Sequence, residues 1–480
     1  MEKMSIYGRE NLIEDILRVS DYVKSINEYT AILTHYDADG IAAGGTFTRF
    51  FANRKTPFII RVASSLDHET LREFFEINAD NYIILDLGSE LKLITKIAKE
   101  YNKLGKKEIL IIDHHKSSEF GDKGDKVILL NPEIYGVDGG REGCTSILSS
   151  LVTYYASDKE DSYLLQLGVI GGVGDMQLQE NISGINKLLV NLAEKEGAIS
   201  VRREFIFFLN RKLPLYKALT WVFIPYIPEF SGRDDIGINI MERAGIPIEI
   251  NDRRTTIEDI SEREKERLLE VILEYLSSKN IKITANELVR YTFDLLNEDV
   301  DVLSTAEDFM SLLSALGRMG REAEAILIAS GARGKMLEEA LNILEKRRKL
   351  LREYLELAFK KAEYYENNNI VLIDLRNEEF NSKFSGSVST ILSKSLKFKE
   401  KVILVLSIGE NGKVKISSRA PRTLVNLGYD LSKVMRKVAE VAGGVGGGHN
   451  IAAGASVSNT DKLKNIVIEI AGEELRRVLE

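Results

Sequence analysis

The sequence predicts an α/β protein with an N-terminal parallel-sheet domain, a mostly helical extension, a long connector helix and a smaller C-terminal α/β domain. Three observations predict this class. Over the first two hundred residues, short apolar runs alternate with helix-like segments, which is typical of parallel strands that are buried on both faces. A long charged segment without Gly or Pro after its start then precedes a second such alternation at the C-terminus. Finally, a chain of 480 residues is too long for one hydrophobic core.

The N-terminal domain, predicted at residues 1–200, contains four strand-like runs. They are AILTH (31–35), PFIIRVASS (57–65), NYIILDLG (81–88) and EILIID (108–113). Helix-like segments begin between these runs, near Gly40, Asp67 and Glu90, and CTSILSSLVTYYAS and SYLLQLGVIGGVGDM predict two more helices. Apolar runs that alternate with helices in this way predict βαβ units and a parallel sheet.

The alternation stops after residue 200. Segments such as ISEREKERLLEVILEYLSSKN and AEDFMSLLSALGRMG are helical by their periodicity, so residues 201–334 are predicted as a mostly helical insertion or extension of the first domain. Residues 335–367 predict the connector helix, and residues 368–480 predict the second α/β domain. In that domain, KVILVLSIGENGKVKISSR predicts a hairpin that turns at Asn411-Gly412.

Composition excludes several classes of protein. The single cysteine, Cys144, excludes an intramolecular disulfide and a cysteine zinc cluster. The net charge of −8 gives no global basic footprint, so any nucleic-acid binding has to come from a local groove. No apolar run reaches the length of a membrane span, and the start MEKMSIYGRE has no signal-peptide character. We therefore expect a cytoplasmic protein without a membrane partner.

Acidic residues and histidines cluster at the ends of the predicted strands or in glycine-rich turns. The clusters comprise His35, Asp37 and Asp39 in HYDADG, Asp86 in IILDLGS, Asp113, His114 and His115 in IIDHHK, and Asp175 in GGVGDM. Ligands of open parallel sheets bind beyond the carboxyl ends of the strands, so these side chains are expected to converge. Adjacent carboxylates repel one another unless a cation lies between them. Mixed imidazole and carboxylate ligands suit Mn²⁺, Zn²⁺ or Fe²⁺, with Mg²⁺ as a weaker occupant.

Each cluster has an ordinary interpretation when it is taken singly. Asp and Gly are common turn residues after strands, and Asp86 has the character of a helix cap as much as of a ligand. Two neighbouring histidines on a loop are usually just solvated. The joint occurrence of four clusters behind apolar segments favours a two-metal site, which would clamp the attacking and leaving oxygens of a phosphoryl displacement.

A glycine-rich segment lies near the C-terminus. GGVGGGHN has five glycines within residues 443–448, and such a loop exposes backbone N–H groups that can bind phosphate oxygens. The alternative is a flexible turn. His449, one of only five histidines, favours a site, and Arg419 could add a bidentate phosphate contact.

These motifs resemble a known family. HYDADG, LDLGS, DHH and GGVGD, in this order, resemble motifs I to IV of the DHH phosphoesterases, and GGVGGGHNIAAGAS resembles the signature of the accompanying DHHA1 domain. The family includes RecJ exonucleases, oligoribonucleases, cyclic-dinucleotide phosphodiesterases and manganese pyrophosphatases. Within it the chain is most similar to the archaeal RecJ-like nucleases, whose relatives include the GINS-associated nuclease.

The resemblance implies roles for the candidate residues. One metal is implied at Asp39, Asp86, His114 and Asp175, and a second at His35, Asp37 and the shared Asp86. It implies that Asp113 orients an imidazole and that His115 faces the scissile phosphate, which makes these two the catalytic candidates. The implied substrate-binding residues are Gly446, Gly447, Gly448 and His449, together with Arg419. The segment IPYIPEFSGRD (224–234) resembles the Asn-Ala-X-Gly-Arg run of RecJ only at Gly232 and Arg233, and Arg233 is the last substrate-binding candidate.

The function that the resemblance implies is an exonuclease for single-stranded DNA or RNA in replication or repair. It implies two divalent metal ions, with Mn²⁺ preferred over Mg²⁺, and GINS-type replication proteins as partners. Two alternatives stay open at the level of the sequence. One is a phosphoesterase for an oligonucleotide, a cyclic dinucleotide or pyrophosphate, and the other is a replisome scaffold with weak nuclease activity.

Overall fold

A computed structural model describes residues 2–88, 90–101, 108–116, 126–279, 281, 288–409 and 412–479. The chain forms two compact units. The first comprises Met1–Asn210 and Ala285–Glu345, and the second comprises Arg211–Thr284 and Lys346–Glu480. Residues 201–334, predicted as one extension of the first domain, are thus divided between the two units.

The first unit is built on a five-stranded sheet with the strand order β2-β1-β3-β4-β5, in which every pair is parallel. Its strands are β1 (Thr30–His35), β2 (Phe58–Ala63), β3 (Asn81–Leu85), β4 (Ile109–Ile112) and β5 (Val127–Leu130), and a separate antiparallel pair is formed by β6 (Ile199–Phe205) and β9 (Val289–Leu295). Its helices are α1 (Glu2–Ser25), α2 (Ala38–Arg54), α3 (His68–Glu76), α4 (Leu91–Glu100), α5 (Thr145–Ala156), α6 (Tyr163–Gly174), α7 (Gly184–Lys195), α11 (Ala306–Arg318) and α12 (Glu322–Ala329).

The second unit contains a six-stranded sheet with the order β10-β11-β12-β13-β15-β14. Its strands are β10 (Ala362–Tyr365), β11 (Ile370–Asp374), β12 (Val402–Ile408), β13 (Val414–Arg419), β14 (Gly444–Gly448) and β15 (Ala452–Val457), and β7 (Glu249–Ile250) pairs with β8 (Arg253–Arg254). Its helices are α8 (Leu215–Thr220), α9 (Asp234–Ala244), α10 (Glu262–Ser278), α14 (Ser385–Ser393), α15 (Arg422–Asn426), α16 (Leu431–Ala442) and α17 (Leu463–Leu479), and α13 (Lys335–Lys360) passes from the first unit into the second.

The predicted fold class is confirmed. The central strands β3 and β4 are buried along their whole length, because helices cover both faces of a parallel sheet and leave no polar face. The antiparallel pairing of β12 with β13 confirms the predicted hairpin, whereas Asn411 in its predicted turn lies outside the described residues. None of the helices within the described ranges is long and apolar enough to cross a membrane.

Two local predictions differ from the structure. The connector helix, predicted over 335–367, ends at Lys360, and Ala362–Tyr365 instead pairs as β10 with β11. The glycine-rich segment, predicted as a loop, forms the edge strand β14, which pairs with β15. Glycine has low intrinsic strand preference, so here the pairing partner decides the conformation.

Close packing of α5 and α6 depends on glycine. A Cβ atom on Gly171 would lie 2.1 Å from the Oγ of Ser146 and 3.1 Å from the Cβ of Ala42. Since α6 ends at the candidate ligand Asp175 and α5 begins one residue before Ser146, this contact fixes two helix ends that belong to the candidate site.

We predict that Gly171→Ala lowers the free energy of unfolding by about 1–3 kcal/mol, since the added methyl group overpacks a buried helix crossing. Gly386→Ala is the matched control. A Cβ at position 386 would meet no atom within 4 Å, and the φ of Gly386 is not left-handed. We therefore expect this variant to gain about 0.4–1 kcal/mol in free energy of unfolding. Urea denaturation of both variants measures the difference, and an unchanged midpoint for Gly171→Ala would contradict the packing argument.

Candidate metal centre

The turn between β1 and α2 presents three candidate ligands. His35 ends β1, and Asp37 caps α2 by accepting the backbone N–H of Gly40 at 3.0 Å. Asp39 lies in the first turn of that helix. A Cβ on Gly40 would lie 2.5 Å from the carbonyl oxygen of His35, so only glycine allows the chain to turn this tightly. The turn directs His35, Asp37 and Asp39 toward the carboxyl edge of the sheet.

Asp86 follows β3 with an unusual backbone conformation. Its φ is +62°, in the left-handed region that favours glycine. Its N–H donates to the carbonyl oxygen of Ile112 at 3.0 Å, and the Oγ1 of Thr145 donates to its Oδ1 at 3.0 Å. Left-handed non-glycine residues concentrate at functional sites, where the surroundings compensate for the strain.

The segment after β4 is organised by Asp113, which is completely buried. Its Oδ2 accepts the N–H of Gly88 at 2.9 Å, and its Oδ1 accepts the N–H of His114 at 2.8 Å. The Nδ1 of His115 lies 2.7 Å from the same Oδ1. Asp113 therefore holds the backbone of the histidine pair and the ring of His115.

The ring of His114 is held in position by a hydrogen bond to a backbone carbonyl. Its Nδ1 lies 2.8 Å from the carbonyl oxygen of Gly139. A carbonyl oxygen can only accept, so Nδ1 carries a proton, and Nε2 is the nitrogen that would bind a cation after giving up its own proton. That Nε2 lies 3.4 Å from Asp86 Oδ1 and 3.8 Å from Asp39 Oδ2.

Asp39 is bound to the N-terminus of α5. Its Oδ2 accepts the N–H of Thr145 at 2.9 Å, and its Oδ1 accepts the N–H of Ser146 at 3.0 Å. Both bonds satisfy helix-start N–H groups and place a negative charge at the positive end of the helix dipole. The carboxylate of Asp39 is therefore held by an element more than 100 positions away in the sequence.

All eight predicted N-terminal site residues lie at this edge. The Nδ1 of His35 is 3.2 Å from Asp37 Oδ2 and 3.4 Å from Asp86 Oδ2, and the Oδ2 of Asp175 is 3.8 Å from His114 Nδ1. Two groups offer ligand atoms that all lie within 4.8 Å of one another: His35, Asp37 and Asp86 in the first, and Asp86, Asp113, His114 and His115 in the second. Asp86 belongs to both groups.

Burial and mutual repulsion shift the carboxylate pKa values. Burial and the neighbouring Asp86 raise the pKa of Asp39 to about 6. Asp175 is half-buried, and its desolvation together with the nearby Asp39 and Asp86 raises its pKa to about 7, against the partial compensation of His114. Burial would also raise the pKa values of Asp37 and Asp113, but His35 and His115 respectively hold them below the usual range.

Burial and the neighbouring carboxylates act on the imidazole pKa values in opposite directions. Burial alone would lower the pKa values of His35 and His114, but the adjacent carboxylates raise both well above the ordinary value. For His115 the carboxylate of Asp113 outweighs burial and raises the pKa to about 8. Excess negative charge at the site is thus balanced by protons on nitrogen.

These residues fit divalent cations. The Nδ1 of His35 is buried without hydrogen-bond geometry to any described residue, although two carboxylate oxygens lie within 3.4 Å of it. A nitrogen and two oxygens that converge without bonding to one another are suited to a shared cation. Imidazole together with carboxylate is a ligand set for Mn²⁺ or Zn²⁺ more than for Mg²⁺.

Arg318 is a candidate site residue that the sequence analysis missed. Its guanidinium carbon lies 5.9 Å from the centre of the Tyr36 ring, and its charge lowers the pKa of Asp37. A Cβ on the preceding Gly317 would lie 2.0 Å from the carbonyl oxygen of Tyr36, so α11 approaches the HYDADG turn directly. The signal was present in SALGR (314–318), where Ala315, Gly317 and Arg318 have the spacing of the Asn-Ala-X-Gly-Arg run.

Arg233, proposed from that run, belongs to the second unit. Its Nε and Nη2 donate to the two carboxylate oxygens of Asp235 at 2.8 and 2.7 Å. In the first unit the Gly-Arg pair beside the candidate ligands is Gly317-Arg318. The role assigned to Arg233 stays a prediction.

The C-terminal candidates lie at one side of the six-stranded sheet. Gly446, Gly447 and Gly448 are part of the edge strand β14, and the N–H of His449 donates to the carbonyl oxygen of Ala452 at 2.8 Å in the turn that follows. Arg419 ends β13, where its Nε donates to Thr390 Oγ1 at 3.0 Å and its Nη1 donates to the Ser418 carbonyl at 2.8 Å. Among the described residues, β14 is the outermost strand on this side of the sheet and pairs only with β15.

Known proteins are similar to this chain in sequence and in fold. Residues 370–475 match the model of the DHHA1 domain. An uncharacterized protein of Methanocaldococcus jannaschii is 29% identical over 486 residues, which cover 97% of this chain and 100% of that protein. The crystal structure of CDC45 from Entamoeba histolytica covers 96% of this chain with a TM-score of 0.60 at 11% identity, over 98% of its own chain. RecJ in complex with Mn²⁺ from Thermus thermophilus covers 96% of this chain, over 55% of its own length, with a TM-score of 0.56 at 14% identity.

We predict that the metal-free protein loses stability as the pH rises from 5 to 7.5. Folded Asp39 and Asp175 keep protons up to about pH 6 and 7, whereas the unfolded chain releases them near 3.8. The folded state therefore binds more protons in this range, and His115, with a pKa of about 8, has the same sign.

Thermal denaturation in a chelator at both pH values measures this effect. Asp175→Asn removes one of the raised carboxyl groups and should reduce the difference between the two midpoints. A midpoint that rises with pH, or a variant with the wild-type dependence, would contradict the assignment of the charges.

Proposed function

We propose that this chain, which carries a DHHA1 domain and has a RecJ-like DHH/DHHA1 fold, is a two-metal-dependent exonuclease that hydrolyses phosphodiester bonds of single-stranded DNA or RNA. The observation that carries the proposal is the position of Asp86, whose Oδ2 lies 3.4 Å from the Nδ1 of His35 and whose Oδ1 lies 3.4 Å from the Nε2 of His114, so that it faces an imidazole of each proposed ligand set. A carboxylate shared by two ligand groups is the arrangement that two adjacent cations require.

The first cation would be held by His35, Asp37 and Asp86, and the second by Asp39, Asp86, His114 and Asp175. Bound there, divalent ions supply Lewis-acid polarisation of a phosphoryl oxygen and activation of water. We propose Mn²⁺ over Mg²⁺ because imidazole nitrogens contribute to both ligand sets.

His115 is proposed to contact the scissile phosphate. Its Nδ1 lies 2.7 Å from Asp113 Oδ1, and 31% of its side chain is exposed at the edge of the candidate metal centre. In the metal-free protein the carboxylate of Asp113 raises the pKa of His115 to about 8, and a protonated ring would attract a phosphate oxygen and donate a hydrogen bond to it. The guanidinium of Arg318, which lies beside Tyr36, adds a second positive charge on the Asp37 side.

The second unit is proposed to bind the nucleic-acid backbone. Gly446, Gly447 and Gly448 lie in the edge strand β14, and alternate peptide N–H groups of an edge strand point away from its partner strand. Arg419 ends β13 and is paired with Ala452 of β15, the strand between β13 and β14, and His449 donates its N–H to the carbonyl oxygen of the same Ala452. Backbone N–H groups together with a guanidinium bind phosphates without reading sequence, which suits an enzyme that acts on many sequences.

A replisome scaffold that contacts GINS-type proteins is the second candidate, because the fold of CDC45 covers nearly the whole chain. The complete set of candidate ligands favours catalysis over a purely structural role, since buried carboxylates are costly to keep without a cation. Hydrolysis measurements distinguish these two functions from each other, and they also distinguish both from a pyrophosphatase.

We predict that the purified chain degrades an end-labelled single-stranded oligonucleotide in Mn²⁺, more slowly in Mg²⁺, and not after chelation. Pyrophosphate should be a poor substrate. Asp86→Asn should reduce the rate by at least about 10³-fold, because it weakens both cation sites at once. Full activity of metal-stripped protein in a chelator, or faster hydrolysis of pyrophosphate, would contradict the proposal.

Arg419→Ala should weaken oligonucleotide binding without abolishing the hydrolysis of a minimal phosphodiester. Each lost phosphate contact reduces the slope of log affinity against log salt by about one unit. Fluorescence anisotropy at several salt concentrations measures that slope. Arg422→Ala, three residues further along in α15, is the control for loss of a nearby charge, and an equal effect of both variants would remove Arg419 from the binding site.

A further inference from the structure

Gln177 is a buried amide two residues beyond Asp175, and only 5% of it is exposed. Its Nε2 donates to Asp175 Oδ2 at 2.6 Å and to the carbonyl oxygen of Gly139 at 2.8 Å. Its Oε1 accepts the N–H of Gly143 at 3.1 Å and the Nδ2 of Asn186 at 3.1 Å. Two acceptors on one side and two donors on the other fix the orientation of the amide.

The carbonyl of Gly139 connects Gln177 to a second candidate ligand. The same oxygen lies 2.8 Å from the Nδ1 of His114. One amide therefore holds Asp175, which follows α6, and the oxygen that holds the ring of His114, which follows β4.

The turn that carries Gln177 has an unusual backbone conformation. Met176, between Asp175 and Gln177, has a φ of +59°, a conformation that non-glycine residues adopt rarely. The turn is held by the N–H of Gln177, which donates to the carbonyl oxygen of Gly172 at 3.0 Å. This strained turn points the Gln177 side chain back at Asp175 instead of into solvent.

We infer that Gln177 is a positioning residue of the candidate metal centre, which sets Asp175 and His114 in register for one cation. The inference rests on the proposed function, because it needs a cation at these ligands. The carboxylate of Asp175 is 32% exposed, so without the amide it can rotate toward water. Without the amide the Gly139 carbonyl also loses one of its two partners, and the His114 ring loses a fixed support.

Gln177→Met tests this inference, because methionine keeps the length of the side chain and removes all four hydrogen bonds. The probe is Mn²⁺ alone, titrated into metal-stripped protein and followed by the electron paramagnetic resonance of the free ion. We expect two ions on the wild type. In the variant one ion should bind about 10–100-fold more weakly, the usual loss when a group behind a ligand is removed, while the ion at His35 and Asp37 keeps its affinity.

The matched control is Gln166→Met. Gln166 is equally buried in the same unit, and its Oε1 accepts the N–H of Asn297 at 2.8 Å, away from the ligands. This variant should lose thermal stability and bind both ions normally. If Gln177→Met does not fold, Gln177→Asn keeps an amide but withdraws it by one methylene, and it should show the same selective loss in smaller degree.

Several outcomes would overturn the inference. Unchanged affinity for both ions in Gln177→Met would show that the amide is purely structural, and an equal loss at both sites would show general disorder. A wild type that binds no Mn²⁺ would remove the inference together with the metal centre. A wild type that binds two ions without hydrolysing an oligonucleotide would contradict the nuclease alone, and the selective loss in Gln177→Met would still establish the positioning role.

Discussion

The rest of this structure depends on the burial of three carboxylates at one sheet edge. Asp39, Asp86 and Asp113 are at most 3% exposed and belong to three different strand ends or turns. Like charges at this distance in a low dielectric destabilise the fold unless each finds donors or a cation. Because β1, β3 and β4 are parallel neighbours, the three carboxylates at their ends lie close together. The surrounding elements supply hydrogen-bond donors and imidazoles that offset the repulsion between them.

The compensation differs from one carboxylate to the next. Asp113 accepts hydrogen bonds from two backbone N–H groups and contacts an imidazole, so its carboxylate holds the histidine pair in position. Asp39 is held by the N-terminus of α5 but keeps a raised pKa. Asp86 has one carboxylate oxygen 3.4 Å from His35 and the other 3.4 Å from His114, so it is the carboxylate that two cations would share. This ordering separates the groups that hold the site in place from those that would bind metal.

Much of the fold and the candidate ligands could be predicted from the sequence. The strands β1 to β4 are apolar runs with no other plausible state, and titratable residues at the ends of neighbouring parallel strands converge by geometry alone. Patterns of this kind lie within short stretches of the sequence, so they can be recognised without knowledge of the tertiary contacts. The spacing of His35, Asp37 and Asp39, and the order of the later motifs, therefore predicted that these side chains meet at one edge, and the structure brings them together there.

The remaining features arise from contacts that no local pattern contains. The N–H donors to Asp39 come from α5, and peptide groups have no sequence signature. Gln177 has its role only because Met176 adopts a left-handed turn, and Arg318 only because Gly317 lets α11 approach Tyr36. The glycine run became strand β14 because β15 offers an edge for pairing. Side chains that support a site are thus harder to predict than those that form it.

The most direct test of this account is the anomalous diffraction of Mn²⁺ in crystals of the wild-type protein. We predict two peaks at the carboxyl edge of the five-stranded sheet, with Asp86 bound to both, His35 and Asp37 on one side and His114, Asp39 and Asp175 on the other. A single peak, or two peaks of which only one touches Asp86, would contradict the shared carboxylate on which the proposed chemistry depends.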